Sequence, residues 1–411
     1  MLNELYKILD PGINLFGYLS FRAIMAFIIA LLISFLIGPK IIRTLKKHRI
    51  GEMIRQNGPE SHHKKEGTPT MGGVIILLSV ILPTILLADI YNYYIQILLI
   101  STSVMGIIGL FDDYLKVVKK YSKGLIARYK LLAQILLGIF VALMIIYSTN
   151  SSGNYFKDRD DKLDYELSYN PSDYIESQFS YSSSEISIPF MPDKRFSEVR
   201  KIENRLKDRK EGKYIGDKEI IHGDRRNYNK IPSGTVEVGF LLILLSILVI
   251  SGSSNAINLT DGLDGLAAGL SAIVFFTLGI IAYASGHINF SSYLNITYIP
   301  QSGEIAVFCM AMVGGCLGFL WYNSHPANIF MGDTGSLALG AAMGTIAIIL
   351  KKEILLIIIG GAFVIEALSV IMQVSFFKYT RMKYGKAKKL FLMAPIHHHY
   401  ELKGLKENKI V

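Results

Sequence analysis

The stretch WYNSHPANIFMGDTGS, from Trp321 to Ser336, is a polar break between two long apolar runs. It places seven hydrogen-bonding side chains in one short hinge: Asn323, Ser324, His325, Asn328, Asp333, Thr334 and Ser336. Hydrocarbon offers no hydrogen-bonding partner to such groups, so the hinge must lie at a membrane–water interface or in a protein-lined cavity. A single hinge of this kind is also compatible with an ordinary loop, and its meaning depends on which other polar loops share its side of the membrane.

Apolar runs of similar length recur along the chain. Apolar residues make up 51% of the 411 residues, charged residues make up 18%, and the mean hydropathy is +0.37. A helix of roughly 20 apolar residues spans a bilayer, and the chain contains nine such runs. The runs are Phe16–Ile37, Met71–Ile90, Tyr94–Phe111, Leu131–Tyr147, Val236–Ile257, Leu263–Ala284, Ile305–Tyr322, Gly335–Leu350 and Ile354–Phe377. Because the runs are continuous rather than alternating, the sequence predicts an all-α integral membrane protein, a polytopic bundle of nine transmembrane helices.

Clusters of lysine and arginine set the predicted orientation. The loop Pro39–Lys65 is rich in both, so the positive-inside rule places it in the cytoplasm. Counting spans from there places four more segments on the same side: Asp112–Lys130, Asn258–Gly262, Asn323–Thr334 and Lys378–Val411. The first and last of these are strongly basic themselves, which agrees with the count. We therefore attribute the net charge of +10 to basic residues that mark the cytoplasmic loops, rather than to a nucleic-acid-binding surface.

The predicted domain organisation has three parts. Residues 1–147 carry the first four spans, residues 148–235 form a polar insert, and residues 236–411 carry the other five spans with the C-terminal segment. The insert is rich in Ser, Tyr and mixed charges, so we expect a loosely ordered extracytoplasmic appendage with a short helix near Arg195–Lys210.

Acidic side chains collect on the predicted cytoplasmic loops. Asp112 and Asp113 end the third span in FDDYLK, where adjacent carboxylates are costly unless they are paired, hydrated or bound to a cation. In NAINLTDGLDG, helical spacing would place Asn258, Asp261 and Asp264 on one face. Mg²⁺ takes carboxylate and phosphate oxygens together, so these loops and Asp333 predict a metal–phosphate site. Helix capping and solvated helix ends are the alternative explanation.

Two further cytoplasmic motifs suit phosphate groups. KEGTPTMGG, Lys65–Gly73, forms a turn whose backbone amides can face an anion beside the lysine, although it could be a simple helix-entry turn. PIHHHYE, Pro395–Glu401, carries three consecutive histidines, which suit phosphate binding or proton transfer better than metal ligation. Together, the five loops predict magnesium-dependent phosphoryl transfer to or from a lipid phosphate. No Walker-type motif occurs in the sequence, so a donor that already carries a diphosphate would suffice.

These five motifs together resemble the phospho-N-acetylmuramoyl-pentapeptide transferase family, and the resemblance covers nearly the whole chain outside the insert. It implies transfer of phospho-MurNAc-pentapeptide from UDP-MurNAc-pentapeptide to undecaprenyl phosphate, giving lipid I and UMP with Mg²⁺. This is the first membrane step of peptidoglycan synthesis, at the cytoplasmic face of the bacterial inner membrane. The resemblance also implies a homodimer and a ninth span bent near Gly360 and Gly361, with Glu366 as a polar contact. The family has ten spans, so we expect the tenth to be missing after Val411.

The resemblance further implies roles for individual residues. Asp333 would bind Mg²⁺, and Asp112 and Asp113 would be the catalytic pair, with Asp112 the base that prepares the polyprenyl phosphate. The three histidines that would complete the catalytic site are His397, His398 and His399. The substrate-binding residues would be Lys65, Thr70, Lys116, Lys130, Asn258, Asp261, Asp264, Asn323, Phe330 and Gln373. Among these, Phe330 would stack on the uracil.

Two other functions remain open at this point. A related enzyme that transfers GlcNAc-1-phosphate from UDP-GlcNAc to the same lipid would share the aspartates, although PTMGG and HHH favour the muramoyl enzyme. An ion or proton transporter would place its acids near the bilayer midplane, whereas most acids here lie at the cytoplasmic ends of spans and Glu366 is the main exception. The residues also leave open whether transfer is direct or passes through an aspartyl-phosphate.

Overall fold

A computed structural model describes residues 15–47, 67–119, 121, 124–166 and 235–411, with side chains described except at 148–166, 235–239, 288 and 292. Within these ranges the protein is helical and contains no β-strand, which confirms the predicted all-α fold. Lys65 and the helix expected near Arg195–Lys210 lie outside the described residues.

The helices follow the apolar runs. In the first half they are α1 (Leu19–Lys47), α2 (Gly73–Leu87), α3 (Tyr93–Val117) and α4 (Ala127–Glu166). In the second half they are α5 (Thr235–Thr260), α6 (Leu266–Ser285), α7 (Ile288–Leu294), α8 (Gly303–Asn323), α9 (Gly332–Ile349), α10 (Glu353–Ile359), α11 (Gly361–Tyr384), α12 (Ile396–Leu402) and α13 (Glu407–Ile410).

Eight helices in the described ranges are long and apolar enough to cross a membrane: α1, α3, α4, α5, α6, α8, α9 and α11. The predicted second span corresponds to α2, which has 15 residues and is shorter than the other spans. The fourth span continues as helix α4 beyond Tyr147 to Glu166, so this helix enters the predicted polar insert. The division of the chain into three parts stays a prediction.

Helix α9 is the centre of the bundle. Every residue from Thr334 to Ile349 is buried, and the helix packs against α3 and α5 with a further contact to α2. Glycines allow this close approach, because a Cβ at Gly340 would overlap the α5 backbone at Ser254, and a Cβ at Gly109 of α3 would overlap the backbone of Asp333. The packing therefore fixes the first turn of α9 against the last turns of α3.

A buried ion pair joins the opposite end of the bundle. Arg22 of α1 donates two hydrogen bonds to Glu304 of α8, at 2.8 and 2.6 Å, and a third to the carbonyl of Leu87 at 3.1 Å. The backbone N–H of Asp89 donates to the same glutamate at 2.9 Å. Buried charges are tolerated when they are paired in this way, so the network ties α1, α2 and α8 together far from the hinge.

The predicted ninth span is broken in two. Helix α10 ends at Ile359 and α11 begins at Gly361, which agrees with the bend expected at the two glycines. Glu366, the polar contact that the resemblance implies for this bend, lies on a buried face of α11, where its carboxylate contacts His397.

Candidate active site

Asp112 lies at the centre of a cluster of charges. It is fully buried in the last turns of α3, and one carboxylate oxygen lies 2.5 Å from Nζ of Lys116, one helical turn further on. The other oxygen lies 2.9 Å from Nζ of Lys130 in the first turn of α4, and it accepts a hydrogen bond from the backbone N–H of Leu125 at 2.6 Å. Asp112 therefore holds the loop between α3 and α4 and pairs with a lysine from each helix.

Asp333 completes the cluster from the first turn of α9. Its Oδ2 accepts hydrogen bonds from the same two lysines, at 3.1 Å from Lys116 and 2.5 Å from Lys130. Its Oδ1 accepts a hydrogen bond from Asn258 of α5 at 2.9 Å, and the same amide group donates to Ser336 at 2.9 Å. Two ammonium groups thus bridge two carboxylates, and four helices each contribute one or more side chains.

Asp113 has a different set of partners from its neighbour. Its carboxylate accepts hydrogen bonds from the backbone N–H of Asp333 at 3.1 Å, and from the N–H and the hydroxyl of Thr334 at 2.9 and 2.6 Å. The first N–H groups of a helix have no partner within the helix, so Asp113 acts as a cap for α9 supplied by another helix. Gly332, at φ 73°, leaves the room that this requires, because a Cβ there would lie 2.6 Å from Oδ2 of Asp113.

The three carboxylates have the donor chemistry of a magnesium site. One oxygen of each of Asp112, Asp113 and Asp333 lies within 4.8 Å of the others. Mg²⁺ prefers such oxygens and usually keeps several waters while taking one or two carboxylates together with substrate phosphates. Asp333 donates its backbone N–H to Asp113 and shares both lysines with Asp112, so it is adjacent to both other carboxylates, and its role as metal ligand stays a prediction.

A second set of contacts joins the hinge to the loop that follows α5. Asn323 accepts a hydrogen bond from the N–H of Gly265 at 3.0 Å and donates one to the carbonyl of Ile329 at 2.9 Å. Asp264 accepts a hydrogen bond from the N–H of Ala327 at 3.1 Å, and its carboxylate lies 3.0 Å from Nδ1 of His325. Asn323 and Asp264, both predicted site residues, therefore hold the hinge against the loop that follows α5.

His325 extends this second set to the C-terminal segment. Its Nδ1 also lies 2.7 Å from a carboxylate oxygen of Glu407 in α13. Neither His325 nor Glu407 was among the predicted site residues. The polar hinge gave a signal for the histidine, whereas the sequence around Glu407 gave none.

The three consecutive histidines have three different surroundings. His397 is buried against Gly262, with its Nδ1 3.1 Å from Oε2 of Glu366. Nδ1 of His398 lies 2.7 Å from Glu401, and Nδ1 of His399 accepts a hydrogen bond from the N–H of Leu392 at 3.1 Å. The contact of His397 with Gly262 joins the histidine run to the NAINLTDGLDG loop.

The remaining predicted residues lie around these groups. Thr70 is buried, with its hydroxyl close to Gly332. The N–H of Phe330 donates to the carbonyl of Pro69 at 2.8 Å, so the TPTMGG turn packs against the hinge. Gln373 of α11 accepts hydrogen bonds from the N–H groups of Leu390 and Phe391, at 3.0 and 2.8 Å, and so holds the segment before the histidines. Asp261 is half-buried in the turn after α5.

The site gathers carboxylates and lysines at the ends of four helices, in a protein with eight helices in the described ranges that are long and apolar enough to cross a membrane. Comparison with known proteins assigns this arrangement to a class of membrane-embedded transferases. The profile of Glycosyl transferase family 4 matches residues 219–351, and Phospho-N-acetylmuramoyl-pentapeptide-transferase signature 1 matches residues 65–77.

Three relatives named phospho-N-acetylmuramoyl-pentapeptide-transferase match along their lengths. The protein from Thermodesulfovibrio yellowstonii is 42% identical over 414 residues, covering 100% of this chain and 94% of the relative. Those from Flavobacterium johnsoniae and Citrifermentans bemidjiense are 40% and 43% identical, covering 98% and 97% of this chain and 92% and 90% of the relatives. The chain belongs to the phospho-N-acetylmuramoyl-pentapeptide-transferase family. The predicted resemblance and the assignment as a transferase enzyme of peptidoglycan synthesis are thereby confirmed.

Proposed function

We propose that this protein transfers phospho-MurNAc-pentapeptide from UDP-MurNAc-pentapeptide to undecaprenyl phosphate. A phosphate oxygen of the lipid attacks the sugar-bearing phosphorus of the donor, the diphosphate bond to UMP breaks, and a new diphosphate bond forms in lipid I. One anhydride replaces another, so no nucleoside triphosphate is needed. The observation that carries the proposal is the cluster of Asp112, Asp333, Lys116 and Lys130 in a chain of this family.

The two lysines are the groups suited to the phosphates. Each pairs with both Asp112 and Asp333, so an incoming diphosphate can take over one of these contacts without leaving either lysine unpaired. Mg²⁺ would be held by Asp333 with a second carboxylate of the cluster, and when bound it supplies neutralisation of the charge on the diphosphate. The lysines would then orient the reacting phosphates from the α3 and α4 sides of the site.

The contacts support different roles for the two adjacent aspartates. Asp113 is engaged by three donors at the start of α9, so it positions the helix that carries Asp333. Asp112 pairs with two lysines that the substrate phosphates can attract away. We therefore assign to Asp112 the acceptance of the proton from undecaprenyl phosphate, and to Asp113 a positioning role within the catalytic pair.

The nucleotide is proposed to bind along the turn after α5 and the hinge. Asp261 and Phe330 would face the uridine, with Lys65 and Thr70 at its rim and Asn258 between the nucleotide and the metal. The hydrogen bonds of Asp264, Asn323 and Gln373 support roles in holding the loops that line the pocket. His398 and His399 would act at the phosphates from the C-terminal segment. We further propose the inner membrane as the location, with the site facing the cytoplasm, and a homodimer as the assembly.

The test is release of UMP and lipid product by the purified full chain. Undecaprenyl phosphate and Mg²⁺ are supplied with either UDP-MurNAc-pentapeptide or UDP-GlcNAc, with Asp333→Asn as the inactive control. We expect UMP and a lipid-linked product with the muramoyl donor only. Product from UDP-GlcNAc alone would move the substrate assignment to the related GlcNAc-1-phosphate transferases, and release of UMP from neither donor would refute the transfer reaction.

A further inference from the structure

Glu366 is a buried carboxylate inside a membrane-spanning helix. It lies in the second turn of α11 after the Gly360 break, and it is 7% exposed. An acidic side chain at such a position is costly unless it is paired, and in membrane proteins it usually marks a functional contact. The contact that this carboxylate makes is therefore expected to matter for function.

The contact of Glu366 is with the first residue of the histidine run. Its Oε2 lies 3.1 Å from Nδ1 of His397 and 3.5 Å from the backbone nitrogen of the same residue. His397 is 1% exposed, and among the described residues neither of its ring nitrogens makes a well-aligned hydrogen bond. One carboxylate oxygen from α11 is thus the polar neighbour of both the imidazole and the start of α12.

The opposite edge of the imidazole rests on the nucleotide loop. A Cβ at Gly262 would overlap Nε2 of His397, so the ring and the glycine backbone are in direct contact. Gly262 follows Asp261 in the turn that ends α5, and the last turn of α5 carries Asn258, which hydrogen-bonds to Asp333. Glu366, His397 and the Gly262 turn therefore form a continuous stack from the membrane helix to the proposed nucleotide pocket.

We propose that Glu366 is a positioning residue for the transfer reaction. Its carboxylate seats the His397 imidazole against Gly262, and the seated ring fixes the turn that presents Asp261 to the nucleotide. The residue lies on α11 and acts through His397, which its carboxylate contacts at both the imidazole and the backbone nitrogen. This inference rests on the function proposed above and adds to it a coupling between α11, the helix that follows the bend, and the nucleotide loop.

The test is a double-mutant cycle on UMP release with Glu366→Leu, His397→Gln and the double variant. Leucine removes the carboxylate and leaves an apolar side chain of the kind that a membrane-spanning helix accommodates. We expect Glu366→Leu to raise KM for the UDP donor about tenfold, within the range of coupling energies for residues in contact, while KM for undecaprenyl phosphate stays unchanged. Glu366→Gln keeps an acceptor oxygen for His397 and is expected to restore most of the donor affinity.

The matched control is Glu353→Leu. Glu353 is also a buried glutamate, on α10 at the other side of the Gly360 break, and it has no contact with the histidine run. We expect this variant to keep the wild-type KM. In the His397→Gln background, Glu366→Leu should cause no further loss. An equal loss in both backgrounds, or wild-type kinetics for Glu366→Leu, would overturn the inference.

A second measurement separates this inference from the proposed reaction. If the wild-type protein releases no UMP, the proposed transfer function is refuted. The contact of His397 with the Gly262 turn is then tested by hydrogen exchange of the backbone amides in residues 261–265. We expect faster exchange there in Glu366→Leu than in the wild type and in Glu353→Leu. Unchanged exchange would refute the stack itself.

Discussion

Removing the carboxylate of Asp113 should destabilise the protein far more than removing that of its neighbour. In Asp113→Ala the N–H groups of Asp333 and Thr334 lose their acceptor at the start of α9. Each buried donor left without a partner costs about 1–3 kcal/mol, so the loss is on the order of 2–6 kcal/mol. In Asp112→Ala both lysines remain paired with Asp333, and only one backbone N–H loses its acceptor, so we expect a loss of about 1 kcal/mol.

The two variants should separate in two assays. Thermal unfolding of the detergent-solubilised protein should show a clearly lower Tm for Asp113→Ala and a Tm close to that of the wild type for Asp112→Ala. UMP release should fall by a factor of about 100 or more in Asp112→Ala, because a general base contributes rate enhancement of that order. A Tm loss in Asp112→Ala equal to or greater than that in Asp113→Ala would refute the assignment of Asp113 as the cap of α9.

Other expectations follow from single contacts. Asp333→Asn should abolish UMP release, and raised Mg²⁺ should restore little of it, which a magnesium titration of the purified variant would check. Gly332→Ala should lower both Tm and turnover, because φ is 73° there and the added Cβ would lie 2.6 Å from Asp113; a wild-type Tm would contradict this. Arg22→Ala should cost about 3–5 kcal/mol by leaving Glu304 buried and unpaired, with KM for both substrates unchanged, and the double variant with Glu304→Leu should recover much of the Tm.

The sequence predicted the helices and the polar loops well because both depend on local composition. Continuous apolar runs located the membrane helices, and the family resemblance implied the break between α10 and α11 near Gly360 and Gly361. Counting spans placed Asp112 and Asp333 at the same membrane face, whereas the two lysines that join them are seen only in the folded chain. The length of α2 was less predictable, because apolar residues continue beyond the 15 residues that are helical.

Partners chosen by tertiary packing could not be read from the sequence. Adjacent aspartates look alike in FDDYLK, yet one faces lysines and the other faces the start of α9. Three consecutive histidines likewise point to three different neighbours. The contact of Glu366 with His397 joins residues from separate elements, so only the folded chain shows it.

Because every residue of α9 from Thr334 to Ile349 is enclosed by protein, lipid molecules have no surface of this helix to press on. A change in bilayer thickness would therefore tilt the peripheral helices first, and it would affect the position of Asp333 only through their contacts with α9. The carboxylate proposed to hold the metal therefore lies at the start of a helix that protein shields from the bilayer, which suits the proposed transfer to a lipid acceptor.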